Sequence, residues 1–313
     1  MAGVLRALSR YFLFQHIPKA GGASFITDAR GLFQECKLLH CTHAKRRIGI
    51  GRPNATCEFS ACEGNIYELL YVLGVVWNEK IEPPSFVIAR TKGIGVPTHE
   101  TYSPEMLGRP MLVLTMIRQP TAHVRSMYAH CQQHGAIGQI QHHWDPISFE
   151  DWVGGWVEGR DMSKHCNYSP RNALVRHLVH EEEADSPDRA IDQLHRYFFV
   201  GTTERYPASL CLLAFKIDRP RFPWCSCPDG LPERQLRPRH EQHFPPERYD
   251  LHHNRHGTNS SNVMLTPRAL RDTRTLTAMD QRVYDKARSE LEEDLKAARL
   301  SCILDSEGQG APG

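Results

Sequence analysis

The chain has no apolar run near the roughly 18 residues that a membrane-crossing helix requires. Its longest candidates, LLYVLGVVW (69–77) and MLVLTMI (111–117), read as buried elements of a folded protein. Charge of one sign is lacking too: 38 Lys and Arg stand against 36 Asp and Glu, a formal net charge of +2, so any basic surface must be local and no nucleic-acid partner is expected. The opening MAGVLRALSRYFLF mixes basic and apolar residues but has no apolar core followed by a small-residue cleavage site. That leaves two expectations, a cytosolic protein or one whose anchor lies upstream of this sequence. Internal repeats are absent.

Cysteine is not lacking. Ten residues (36, 41, 57, 62, 131, 166, 211, 225, 227 and 302) form an even set with close pairs, as expected of disulfides in an oxidising compartment. Asn54, Asn167 and Asn259 open glycosylation tripeptides, which arise often by chance. Together these features lean towards a lumenal protein. A zinc reading of CSC (225–227) with HEQH (240–243) fits no common finger spacing.

A length of 313 residues suits one large α/β domain or two small ones. Tyr11 to Ile17 is rich in aromatic and β-branched residues and reads as a strand; Gly21 and Gly22 make a turn; Ser24 stands where a helix N-cap belongs, before a helix to about Phe33. NIYELLYVLGVVW (65–77) reads as a helix and SFVIAR (85–90) as a short strand. The continuous apolar run 109–120, closed by Pro120, predicts a strand buried on both faces of a parallel sheet, and a helix opens at Thr121. RYFFVGTTER (196–205) and YPASLCLLAFKI (206–217) repeat the strand–turn–helix theme. The pattern predicts parallel βαβ architecture. Residues 218–262, rich in Pro, Arg and His, read as a long loop region; helical periodicity runs from Thr266 to about Leu300, and the tail 304–313 reads as disordered.

The segment HIPKAGGAS (16–24) carries the chemistry. A strand feeding a glycine bend and then a helix aims backbone N–H groups and the positive end of the helix dipole at one point, which suits a phosphate or sulfate. Lys19 adds a mobile charge that can follow negative charge developing on a leaving oxygen. The competing reading is a bend whose glycines merely permit tight packing. A nucleotide-triphosphatase P-loop is excluded by order, because its lysine follows the glycines whereas Lys19 precedes them, and no acidic residue ends the strand before Arg118.

HIPKAGGAS resembles the 5′-phosphosulfate loop of the Golgi-type carbohydrate sulfotransferases, commonly His-Ile-Pro-Lys-Thr-Gly-Gly-Thr-Ser/Thr. Ala20 and Ala23 depart from it at positions where threonine is frequent, which removes one or two hydroxyl contacts but leaves the backbone cradle and Lys19. LTMIRQPTAHVRSMY (114–128) is similar to the family's 3′-phosphate site, in which a hydrophobic strand ends in Arg-Asp/Glu-Pro and a helix offers Ser eight residues past the Arg. Arg118 and Ser126 keep that spacing, and Gln119 replaces the acid. Fainter similarities follow in NYSPRNALV, which keeps Asn167 and Arg171, in FFVGTTERYPASLCLL, and in HNRHGTN (253–259) with Arg255. The resemblance spans about residues 11 to 290 and includes the heparan sulfate 2-O- and 6-O-type enzymes.

The resemblance implies a single α/β sulfotransferase domain over 1–303, a P-loop-like three-layer fold with a mostly parallel central sheet, in the Golgi lumen, with cytoplasm as the alternative. It implies metal-free in-line transfer of a sulfuryl group from 3′-phosphoadenosine 5′-phosphosulfate to a hydroxyl, expected on a carbohydrate that can be anionic. Lys19 would stand at the leaving phosphate; Lys19, Ala20, Gly21, Gly22, Ala23, Ser24, Arg118, Ser126, Arg171 and Arg255 would hold the nucleotide. His99 is the first candidate for the base, near the position of the catalytic histidine in 2-O-type relatives, with Glu100 and His43 as alternatives. His16 is expected to be structural. The Arg- and His-rich stretch after 231 and KRR (45–47) could grip an anionic glycan or be solvated loop. Two other readings stay open: a nucleotide or small-molecule kinase on a shared scaffold, and a catalytically inactive glycan-binding module.

Overall fold

The computed structural model describes residues 11–15, 17–22, 24–25, 39–40, 49–50, 86–89, 111–137, 146–166, 168–179, 185–217, 225, 227 and 262–304. Strands β1 (Tyr11–Gln15), β4 (Phe86–Ala89), β5 (Met111–Ile117) and β6 (Phe199–Thr202) form one open, all-parallel sheet in the order β4-β1-β5-β6. Two short strands, β2 (Leu39–His40) and β3 (Gly49–Ile50), pair antiparallel apart from it. Among the described residues the α-helices with full bounds are α1 (Pro120–Ile137), α2 (Phe149–Val157), α3 (Ala173–Leu178), α4 (Pro187–Leu194), α5 (Tyr206–Lys216), α6 (Pro267–Leu276) and α7 (Ala278–Ala297). This is an α/β arrangement, as the alternating strand and helix patterns predict.

Strand β5 is buried on both faces, and its period-2 alternation divides the core. Leu114 and Met116 pack with Phe14, Phe25, Phe199 and the apolar residues of α5. Val113 and Ile117 pack with Ile17, Ala20 and the buried faces of α3 and α4. Helix α7 serves both groups, giving Val283, Tyr284 and Ala287 to the second and Leu291 and Leu295 to the first. A third group joins α1, α2 and α6 through Val124, Met127, Trp152, Val153, Ala269 and Leu276. Gln15, at the end of β1, is buried but satisfied: it donates to His177 O (2.8 Å), accepts from the Tyr197 hydroxyl (2.5 Å), and its carbonyl takes the Thr115 hydroxyl (2.9 Å).

Three sequence expectations need correction. Ser24 is not the N-cap, because Gly22 is already helical and Phe25 N–H donates to Gly21 O (2.9 Å). The periodic stretch from Thr266 is two helices, interrupted at Thr277, whose hydroxyl turns back to Thr273 O (2.9 Å). Residues 146–194, for which no elements are predicted, carry α2, α3 and α4. The predicted helices over 26–33 and 65–77 lie outside the described residues, as do nearly all of 218–262 and of the tail.

Among the described residues, cysteines join in three disulfides: Cys131–Cys166, Cys211–Cys225 and Cys227–Cys302. The last two occupy both thiols of CSC and so remove them from the zinc reading.

Candidate anion site at the strand ends

Parallel pairing of β1 with β5 (Gln15 opposite Thr115) and of β5 with β6 (Ile117 opposite Thr202) brings three strand ends to one edge of the sheet. The bend 17–22, Arg118 and the Thr203–Glu204 turn all start from that edge, where ligands of open α/β sheets bind. The bend's backbone alternates in the sign of φ: +65° at Lys19, negative at Ala20, +78° at Gly21, then helical at Gly22. Such alternation turns successive N–H groups towards a common concavity, a nest suited to an anion. Among the described residues no acceptor meets the N–H of Lys19, Gly21 or Gly22, whereas Ala20 N–H closes the turn on Ile17 O (3.3 Å). Glycine at 21 is favoured on two counts. Its φ is left-handed, and a Cβ there would stand 3.3 Å from the Thr203 hydroxyl, which is itself held on Ile117 O (2.9 Å).

Arg118 lies against this bend, donating from a terminal nitrogen to Lys19 O (3.3 Å), while its buried Nε has no partner among the described residues. The two motifs, about 100 residues apart in sequence, are thus adjacent in space. Burial, and then the neighbouring Arg118 charge, push the Lys19 ammonium down to about 8. Burial also lowers Arg118, with Glu204 opposing and Arg125 adding to the effect. Glu204 is committed elsewhere as well, accepting from Gln119 N–H (3.0 Å) and from the Tyr284 hydroxyl (3.1 Å). Two crowded, partly desolvated cations stand beside amides that meet no acceptor among the described residues, an arrangement whose electrostatics improve when an anion enters.

Gln119 caps α1: its side-chain carbonyl accepts from Ala122 N–H (2.7 Å). Ser126 is buried in α1, two turns past Arg118. Ser24 is half-buried in the first helical turn after the bend. Arg171 is exposed and donates to Trp156 O (2.7 Å) at the end of α2. Ala23, His43, His99, Glu100, Arg255 and His16 lie outside the described residues.

Sequence reasoning missed His123. It is buried in the first turns of α1, and its Nε2 lies 2.7 Å from Pro18 O, directly under the bend. Burial, only partly offset by the Pro18 bond, pushes its pKa down to about 3, with His177, Arg118 and Lys19 adding to the lowering. A histidine among Val124, Met127 and Cys131, at the start of a helix that follows a buried strand, was the available signal.

No family model matches the chain, and no curated protein matches it.

Proposed function

We propose that the chain is a sulfotransferase of P-loop-like three-layer fold that moves a sulfuryl group from 3′-phosphoadenosine 5′-phosphosulfate to a hydroxyl, expected on a carbohydrate. One observation carries the reading: Arg118 bonded to the carbonyl of Lys19, which joins a candidate 3′-phosphate fork to a nest of amides that meet no acceptor among the described residues. In this reading Lys19 and the amides of Gly21 and Gly22 hold the 5′-phosphosulfate, and Arg118 with Ser126 holds the 3′-phosphate. As the S–O bond to the phosphate breaks, charge grows on the bridging oxygen and Lys19 offsets it. The acceptor hydroxyl loses its proton to a base, His99 or else Glu100. The three disulfides support a lumenal setting.

Titration calorimetry with adenosine 3′,5′-bisphosphate, followed by transfer of labelled sulfate to a panel of glycans, tests this reading. Uptake is expected, with transfer reduced at least about a hundredfold in Lys19→Ala through loss of charge stabilisation. His99→Ala should bind the nucleotide but not turn over. No uptake by the unaltered chain, or transfer of phosphate from ATP instead, would overturn it.

A further inference from the structure

The buried histidine under the bend has a geometry that the donor reading does not use. Pro18 O is an acceptor only, so the 2.7 Å contact requires a hydrogen on His123 Nε2. Burial and the cations at Lys19 and Arg118 keep the ring neutral, which fixes that tautomer. Across a trans peptide the carbonyl and the N–H point in opposite directions. A Pro18 carbonyl drawn down onto α1 therefore turns the Lys19 N–H up and away from it. That N–H is one of the three bend amides without an acceptor among the described residues. Lys19 also holds a left-handed φ of +65°, a strained conformation for a lysine that something must maintain. Two side chains grip the carbonyls on either side of it: His123 on Pro18 O and Arg118 on Lys19 O.

We propose that His123 is a positioning residue of the anion site, whose Nε2–H anchors the Pro18 carbonyl and so aims the Lys19 amide at the 5′-phosphate end of the nucleotide without touching it. The inference rests on the donor reading above. It assigns His123 to one end of the ligand, which a general role in stability would not do.

Calorimetry on the full chain with three probes, adenosine 3′,5′-bisphosphate, adenosine 5′-monophosphate and adenosine 3′-monophosphate, separates the possibilities. His123→Leu keeps the bulk and loses the donor. It should weaken the bisphosphate and the 5′-monophosphate roughly fivefold to tenfold, the effect of one misaligned hydrogen bond, and leave the 3′-monophosphate within about twofold. His123→Gln, whose side-chain amide can donate at similar reach, should restore most of the loss. Thermal melts confirm that each variant is folded. Equal loss for both monophosphates, no loss in His123→Leu, or a His123→Gln variant with a tenfold loss of its own would overturn the positioning role. If His123→Leu does not fold, the affinities of His123→Gln decide by the same limits. Absence of uptake of all three probes by the unaltered chain would instead overturn the donor reading and this inference together.

Discussion

At the scale of the residue, the site turns on one ammonium group. Lys19 is held near a pKa of about 8, well below its value of 10.5 in a solvated chain, because folding strips part of its water and sets Arg118 beside it. Between about pH 8 and 10.5 the unfolded chain therefore carries the proton that the folded chain has lost, and this group makes stability rise with pH across that window. A bound phosphate reverses the balance, since an adjacent anion favours the charged amine. Binding of adenosine 3′,5′-bisphosphate at about pH 8.5 should thus be accompanied by proton uptake. Titrations in buffers of different ionisation enthalpy would read it as a buffer-dependent apparent heat that vanishes in Lys19→Met and shrinks below pH 7. Heats that are independent of buffer at both pH values would remove Lys19 from the anion's surroundings.

At the scale of the element, strands were more legible than short helices. The run 111–117 could be read because a strand buried on both faces must be apolar throughout, and β1, β4 and β6 share the same aromatic and β-branched character. The bend could be read because a lysine and two glycines between such a strand and a helix have few structural uses. Helix α2, FEDWVGGWV, was not read, because two glycines lower its propensity. Gly155 is there because Met162 packs where a Cβ would stand, a tertiary cause that no local pattern reveals. Helix α3 has only six residues, and its N-cap Asn172 makes no side-chain cap bond. Its cap comes from another element: Asp280 on α7 accepts from Val175 N–H (2.9 Å), with the Leu174 and Ala173 amides also bonded to it. Burial nevertheless pushes this carboxyl up to about 7. The folded chain therefore keeps a proton that the unfolded chain releases between about pH 4 and 7, so the group's contribution to stability declines as pH rises through that window. Asp280→Ala leaves buried amides unpaired and should cost about 2–3 kcal/mol in denaturant unfolding. Asp280→Asn should flatten the pH dependence between 4 and 7, and an unaltered slope in that variant would mean that another group titrates there.

At the scale of the whole molecule, the order of strands across the sheet was not legible, because it depends on contacts 100 residues apart, yet that order is what makes a site of two separate motifs. Strand β1 lies between β4 and β5, so the bend and Arg118 emerge side by side. The same long-range logic holds the C-terminal end in place. Cys227–Cys302 closes a loop across 75 residues that contains α6 and α7, and Cys211–Cys225 ties the chain just before it to α5. Loop-closure entropy for such a span is on the order of 4 kcal/mol, less whatever order the reduced chain retains. Helix α7 completes both core groups through Val283 and Leu291, and Tyr284 bonds Glu204 at the sheet edge. Loosening the C-terminal tie should therefore be felt at the anion site as well as in global stability. Cys227→Ser with Cys302→Ser should lower the denaturant midpoint by an amount equivalent to about 2–4 kcal/mol and weaken bisphosphate uptake at temperatures where the unaltered chain is still fully folded. A midpoint that moves while uptake at low temperature stays constant would mean that the disulfide stabilises the fold without reaching the strand ends. A midpoint that does not move would mean that the reduced chain is already held there by packing.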